Sequence, residues 1–504
     1  MSGLLVAMDQ GTTSSRAVVF DRAGRVVALC SVPFTQIYPK PGWVEHDPRV
    51  ILSSQVEALQ GAVHMAGDAA DDIDAIGIAN QRETTLLWDR ATGEPVCNAI
   101  VWQCRRTAPL VEELRARGLA DEIQQRTGLV PDAYFSATKL RWMLDNYSLQ
   151  ARAEKGELCF GTVDSFLMWH LLENRPHLTD VSNAGRTMLL GLDKLQWDGV
   201  LLGELNIPRA VLPEVKDTIG YFGELDPAIL GRRIPVTAVA GDQQAALFGQ
   251  ACFSPGMVKN TYGTGCFLLK NLGAKPTRSK NRLLTCPAWR WKGEAVYAME
   301  GSVFVGGAAI QWLRDELGII SNAAETETLA RSLPDNEGVY LVPAFTGLGA
   351  PYWDMYARGT MVGMTRGTGK AQFARAALES IAYQSMDVIK AMADETGGAS
   401  VSDLTGTTTV RVDGGASANG FLLQFQADIL NAAVERPQVV ETTALGAAWM
   451  AGLGAGVYSG YDELSKLWRA DLVYKPTMAQ AEREKNIKGW HRAVERARAW
   501  VSYT

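Results

Sequence analysis

The first twenty residues constrain this chain more than any other stretch. An apolar run, Leu4-Leu5-Val6-Ala7-Met8, leads into Asp9-Gln10-Gly11-Thr12-Thr13-Ser14-Ser15-Arg16, and Ala17-Val18-Val19-Phe20 leads out. Both runs are short and bounded by turn residues, so they read as the strands of a hairpin. The turn gathers one carboxylate, one glycine, four hydroxyls and one guanidinium into eight positions. Glycine lets a backbone come close to a ligand. Successive amides in such a turn line an anion-binding nest, and the hydroxyls add donors. Asp9, at the strand end, suits a water-mediated hold on a metal cation. Taken alone, the same residues fit a Ser/Thr-rich surface turn equally well.

The 504 residues imply two or more domains with an ample core. Hydrophobic residues make up 47% and charged residues 21%, ordinary values for a soluble globular protein. The net charge of −6 argues against a general nucleic-acid binder. The seven cysteines are scattered and form no CxxC, which fits a reducing cytoplasm and offers no zinc spacing. Asp9 interrupts the first apolar run and no basic stretch precedes it, so no secretory leader is read. The most membrane-like segment, Ala444 to Tyr458, is rich in Gly and Ala and too short to span a bilayer. It reads as a buried helix packed close against a neighbour.

Further along, Val26 to Phe34 reads as a strand. Asp47-Pro48 opens a helix to Met65, with Asp47 as cap. Ile73 to Ala79 is a buried strand ending on the polar cluster Asn80-Gln81-Arg82-Glu83-Thr84-Thr85. Leu86 to Asp89 and Ile100-Val101-Trp102 read as strands, and 107–117 and 136–146 as helices. Strands alternating with helices indicate an α/β fold. Near residue 240 the pattern restarts. A strand, Val236 to Gly241, precedes a helix from Asp242, and Val258 to Leu269 repeats the strand, Gly/Thr turn, strand order. The domain boundary is placed near residue 250, giving 1–250 and 251–504.

A third glycine element is Val410-Arg411-Val412-Asp413-Gly414-Gly415 followed by a helix. A base or ribose could lie against that turn, or the glycines could serve only its dihedrals. Gly363 to Lys370 is not a Walker loop: the spacing differs and Ala371 stands where a magnesium-binding hydroxyl belongs.

In this order, the three elements resemble the actin/hexokinase/heat-shock ATPase superfamily. Tyr134 to Met143 and Gly359 to Ser380 resemble the two signatures of its FGGY carbohydrate kinases. The resemblance covers nearly the whole chain. It is densest at 9–19, 38–48, 80–85, 99–107, 240–250, 260–267, 343–354 and 411–419. It implies two related ribonuclease-H-like domains flanking a deep cleft for ATP and substrate. It also implies phosphoryl transfer from MgATP to a small polyol, glycerol, in a cytoplasmic homodimer or homotetramer.

Residue by residue, the family pattern makes Arg82, Glu83, Tyr134, Asp242 and Gln243 the hydrogen-bonding set for glycerol. Trp102 and Phe267 become the apolar wall. The chemistry agrees, because a hydroxyl donates to a carboxylate and accepts from a guanidinium. Without the resemblance, Arg82-Glu83 reads as a surface ion pair and the two aromatics as core. The pattern further places Thr12, Thr13, Ser14, Arg16 and Thr264 along the phosphates, and Gly307, Gln311, Gly415 and Asn419 at the nucleotide. Asp9 and Asp242 hold Mg2+ through water, and Asp242 is the candidate base.

Some relatives bind fructose 1,6-bisphosphate in a glycine-rich loop. Here Asp226 to Pro235 is shorter, and only Gly231 and Arg233 match. The histidine that other relatives phosphorylate is missing. Lys475 to Lys485 does not resemble the segment that binds a phosphotransferase protein. The resemblance therefore implies neither form of regulation. The alternatives are a family kinase of another polyol or ketose, and an ATP-driven filament or chaperone protein.

Overall fold

The computed structural model describes residues 3–397 and 409–501. Its first half contributes six strands to the large sheet. Strands β1 (Leu4–Gln10), β2 (Ser14–Asp21) and β3 (Val26–Pro33) form an antiparallel meander. Helix α1 (Pro48–Met65) follows, with the Asp47 carboxylate accepting from the Arg49 amide at its start. Strand β4 (Ile73–Asn80) then runs parallel to β1. Helix α2 (Ser136–Asn146) lies in an insertion. Strand β5 (Ile219–Glu224) leads to β6 (Pro235–Gly241), which is parallel to β4. Helix α3 (Asp242–Gly249) starts directly from β6.

The second half repeats this order. Strands β7 (Val258–Tyr262) and β8 (Cys266–Gly273) form an antiparallel hairpin. Strands β9 (Leu284–Trp291) and β10 (Glu294–Val303) extend it. Helices α4 (Ala308–Asp315) and α5 (Lys370–Glu395) follow. Strand β11 (Val410–Asp413) is parallel to β7, as β4 is to β1. Helix α6 (Gly420–Leu430), strand β12 (Val434–Pro437) and helix α7 (Thr442–Gly454) complete the unit. Strand β6 lies between β5 and β4 among the first-half strands, so the repeat begins at β7, later than the pattern near 240 suggests. One residue pair, Ile219 with Trp291, joins β5 to β9 and links the strands of both halves into one 13-stranded sheet.

Strand β1 is apolar at nearly every position because both of its faces are covered. Leu4, Val6 and Met8 pack with Ile51, Ala58 and Leu59 of α1, while Leu5 and Ala7 pack with Ala444, Ala447 and Ala451 of α7. Successive side chains on a strand point to opposite faces, so one run serves two cores. The Gly/Ala segment is buried as read. A Cβ on Gly446 would lie 1.8 Å from the Ala245 carbonyl oxygen, and one on Gly249 would lie 2.0 Å from that of Thr442. Helices α3 and α7 therefore cross backbone to backbone between the halves. Among the described residues no helix is long and apolar enough to cross a membrane.

Two local readings differ. The Ile100–Trp102 strand shortens to Ala99–Ile100, because the chain turns at Trp102. Of the four hydroxyls of the first turn, Ser15 faces inward and bonds the Ser54 hydroxyl at 2.9 Å. Period-two alternation sends it to the α1 side.

Candidate active site

The ends of β1, β4 and β6 converge. Strand β4 pairs with β1 so that Asn80 sits beside Gln10, and β6 pairs with β4 so that Gly241 sits beside Asn80. The residues following these ends are Gly11, Gln81-Arg82-Glu83 and Asp242-Gln243. Gln81 Nε2 reaches Gln10 Oε1 at 3.0 Å and ties two of the ends together.

Arg82 and Glu83 are buried, so the surface ion-pair reading fails. Arg82 Nε lies 3.2 Å from Asp242 Oδ1 and 3.9 Å from Glu83 Oε1. Its Nη1 and Nη2 donate to the two oxygens of Glu300 at 2.6 and 3.1 Å. Arg186 donates from Nε to Glu83 at 2.5 Å and from Nη2 to Glu300 at 3.1 Å. Glu83 holds a left-handed backbone, φ 60°, which costs energy for a non-glycine residue. The network supports that conformation.

Burial pushes the Glu83 and Asp242 carboxyls up, opposed by Arg186 at Glu83 and by Arg82 at Asp242. A carboxylate made more basic by burial suits proton abstraction. Lys259 is buried too. Its ammonium donates to Gln243 Oε1 and to Thr261 Oγ1, and burial lowers it to about 8.

The three aromatics come together. Trp102 makes edge contacts with Tyr134 at 5.7 Å and Phe267 at 6.4 Å. Trp102 Nε1 also donates to Thr12 Oγ1 at 3.0 Å, joining the wall to the first hairpin. Lys139 is fully buried and donates to the carbonyls of Ala133, Tyr134 and Phe135, which fixes the loop that presents Tyr134.

In the nucleotide set, the Gly307 amide donates to the Gly263 carbonyl at 2.9 Å, seating α4 on the second hairpin. Thr264 and Gln311 are exposed. Gly414 adopts φ 86°, and a Cβ there would meet the Tyr262 backbone at 2.5 Å, so only glycine fits. Nothing lies within 4 Å of a Cβ on Gly415, which leaves the turn open. Asn419 caps α6 through the Leu422 amide at 3.0 Å and reaches Thr326. Thr13 is exposed and Ser14 half-buried at the first turn. Arg16 instead pairs with Glu441 at 2.9 Å, where the carboxylate balances its charge.

Burial pushes the Asp9 carboxyl up to about 7, with Arg16 opposing and Asp242 and Glu441 adding to it. Among the described residues no hydrogen bond reaches that carboxylate, and no cluster of three or more metal-ligating side chains exists. Asp9, whose carboxylate has no hydrogen-bond partner, and Asp242, which it senses electrostatically, fit a magnesium ion that keeps most of its waters.

Reading of the sequence missed Arg186, Glu300, Lys259 and Lys139. The available signal was a single charge inside an apolar run, as in Val296-Tyr297-Ala298-Met299-Glu300.

Two matched α/β halves, each with a Gly/Thr hairpin at its parallel strand ends, define a two-domain kinase fold. The family model for the N-terminal domain of the FGGY family of carbohydrate kinases matches residues 4–249, and that for its C-terminal domain matches 258–455. A glycerol kinase of Caldanaerobacter subterraneus is 55% identical over 99% of this chain and 100% of its own. One from Aromatoleum aromaticum is 57% identical over 99% of each. The crystal structure of Plasmodium falciparum glycerol kinase with ADP superposes with a TM-score of 0.93 at 34% identity, covering 100% of this chain and 99% of that one. The chain belongs to the FGGY family of carbohydrate kinases.

Proposed function

We propose that the protein transfers the terminal phosphoryl group of ATP to a primary hydroxyl of glycerol, giving sn-glycerol 3-phosphate. One observation carries this reading. Buried Arg82 and Glu83 and half-buried Asp242 meet at the strand ends beside a wall of Trp102, Tyr134 and Phe267. A three-carbon polyol offers only hydroxyls and a short carbon edge, and this set matches both. The high identity to glycerol kinases over full length supports the same substrate.

Glu83 and Asp242 accept from the glycerol hydroxyls. Arg82, Tyr134 and Gln243 complete their hydrogen bonds. Asp242 takes the proton from the attacking hydroxyl. Thr12, Thr13, Ser14 and Thr264 donate to the phosphates, and Arg16 joins them once it leaves Glu441. Gly307, Gln311, Gly415 and Asn419 hold the nucleoside. Asp9 and Asp242 hold hydrated Mg2+, which offsets phosphate charge when bound. Such transfer depends chiefly on positioning and charge stabilisation.

On this reading, residues 1–250 supply the polyol site and residues 251–504 the second hairpin and the adenosine site. Turnover then requires the halves to close and exclude water. All seven cysteines are unpaired, in keeping with work in a reducing cytoplasm.

The test is ADP release from MgATP with glycerol, dihydroxyacetone, erythritol, xylulose, ribulose and gluconate offered separately. Strong preference for glycerol is expected. Preference for a five- or six-carbon substrate would overturn the substrate assignment and leave the ATP site standing.

A further inference from the structure

We propose that Glu300 is a positioning residue that sets the polyol site from the opposite half of the molecule. This rests on the reading that Arg82 and Glu83 bind glycerol. Glu300 stands on β10, in the second half, while Arg82, Glu83, Arg186 and Asp242 all belong to the first half. Its carboxylate is fully buried.

The geometry gives that carboxylate two tasks. It chelates both terminal nitrogens of Arg82, at 2.6 and 3.1 Å, and so fixes the plane of the guanidinium. With that plane fixed, the Arg82 Nε edge lies toward Asp242 at 3.2 Å. It also accepts from Arg186 Nη2 at 3.1 Å, and Arg186 passes the constraint to Glu83 at 2.5 Å. One side chain thus orients both the guanidinium and the carboxylate of the polyol set, without belonging to that set. Without Glu300, two buried arginines would face each other with only Glu83 and Asp242 to balance them. Those are the groups a glycerol hydroxyl needs.

Glu300 also remains ionised. Burial alone would raise its carboxyl, but Arg186 and Arg82 hold it down to about 2. A carboxylate placed only for stability would leave substrate recognition untouched when replaced by a residue that still folds. A positioning carboxylate would not.

The experiment compares full-length wild type, Glu300→Gln, Glu300→Asp and Arg186→Lys. Glu300→Gln keeps the reach and loses the charge. Glu300→Asp keeps the charge and is one methylene too short to serve both arginines. Arg186→Lys keeps the charge and cannot span Glu300 and Glu83 as a fork. Steady-state ADP release is measured with glycerol varied at saturating MgATP, then with MgATP varied at saturating glycerol, alongside thermal melts.

The expected result is a glycerol KM raised at least tenfold in every variant that melts as a folded protein, with the ATP KM within twofold of wild type. A folded variant with wild-type glycerol KM overturns the proposal, as does a parallel rise in both KM values. Should the Glu300 variants not fold, Arg186→Lys decides by the same criterion. Wild type that is silent with glycerol but active with a larger polyol would overturn the substrate reading instead. The same KM split, measured on that polyol, would then test Glu300 separately.

Discussion

The indole of Trp102 donates a 3.0 Å hydrogen bond to the hydroxyl of Thr12, across ninety positions of sequence. Trp102 stands among the aromatics beside Arg82 and Asp242, while Thr12 stands in the hydroxyl-rich first turn. The bond occupies a Thr12 lone pair and leaves its O–H free to donate. The bond therefore ties the aromatic cluster to the first turn and, on the proposed function, lets the polyol wall orient a phosphate donor.

Trp102→Phe keeps an aromatic wall and loses this bond. A net hydrogen bond of this type is worth about 0.5–1.5 kcal/mol, roughly two- to twelvefold. The expected outcome is an ATP KM raised within that range, while an unchanged ATP KM would dissociate the wall from the hairpin.

Asp242→Asn removes the candidate base and keeps the volume of the side chain. Turnover should fall by about 10²- to 10⁴-fold while MgATP still binds. Rapid-quench turnover and calorimetric nucleotide titration test the two parts separately, and near-normal turnover would remove Asp242 from the base role.

Lys259 sets a pH dependence. Burial lowers its ammonium to about 8, so it loses charge above that value and weakens its hold on Gln243. The kcat/KM profile for glycerol should show an alkaline limb near pH 8, absent in Lys259→Met. Stability should move the other way. The folded state binds fewer protons than the unfolded chain between about 8 and 10.5, so this group's contribution improves as pH rises through that window. Urea unfolding at pH 7.5 and 9.5, in wild type and Lys259→Met, isolates it.

Gly446→Ala places a methyl group where only 1.8 Å separates it from the Ala245 carbonyl oxygen. Helices α3 and α7 must move apart, at a cost of about 1–3 kcal/mol. Because α3 begins at Asp242, kcat should fall together with the melting temperature. A variant with wild-type stability would show that this crossing is less rigid than its spacing implies.

Local chemistry made much of the fold legible in the chain. Asp47 with Pro48 marked α1 because capping and proline geometry act within one turn. The Gly/Thr turns and Gly414-Gly415 were readable because their backbone dihedrals and their donors come from adjacent residues. The apolar run of β1 was readable as a strand because it is short and bounded by turn residues.

What the sequence by itself determined was therefore the elements, their order and the residues presented at strand ends. Only the tertiary structure decided how charges pair. Arg186 meets Glu83 across 103 positions, and Arg82 meets Glu300 across 218. Neither pairing follows from any local pattern, because it depends on which distant segments become neighbours when the chain packs. The packing of the two halves likewise joins Arg16 to Glu441. A buried charge requires a partner in space, and the packing of the two halves determines which residue that partner is.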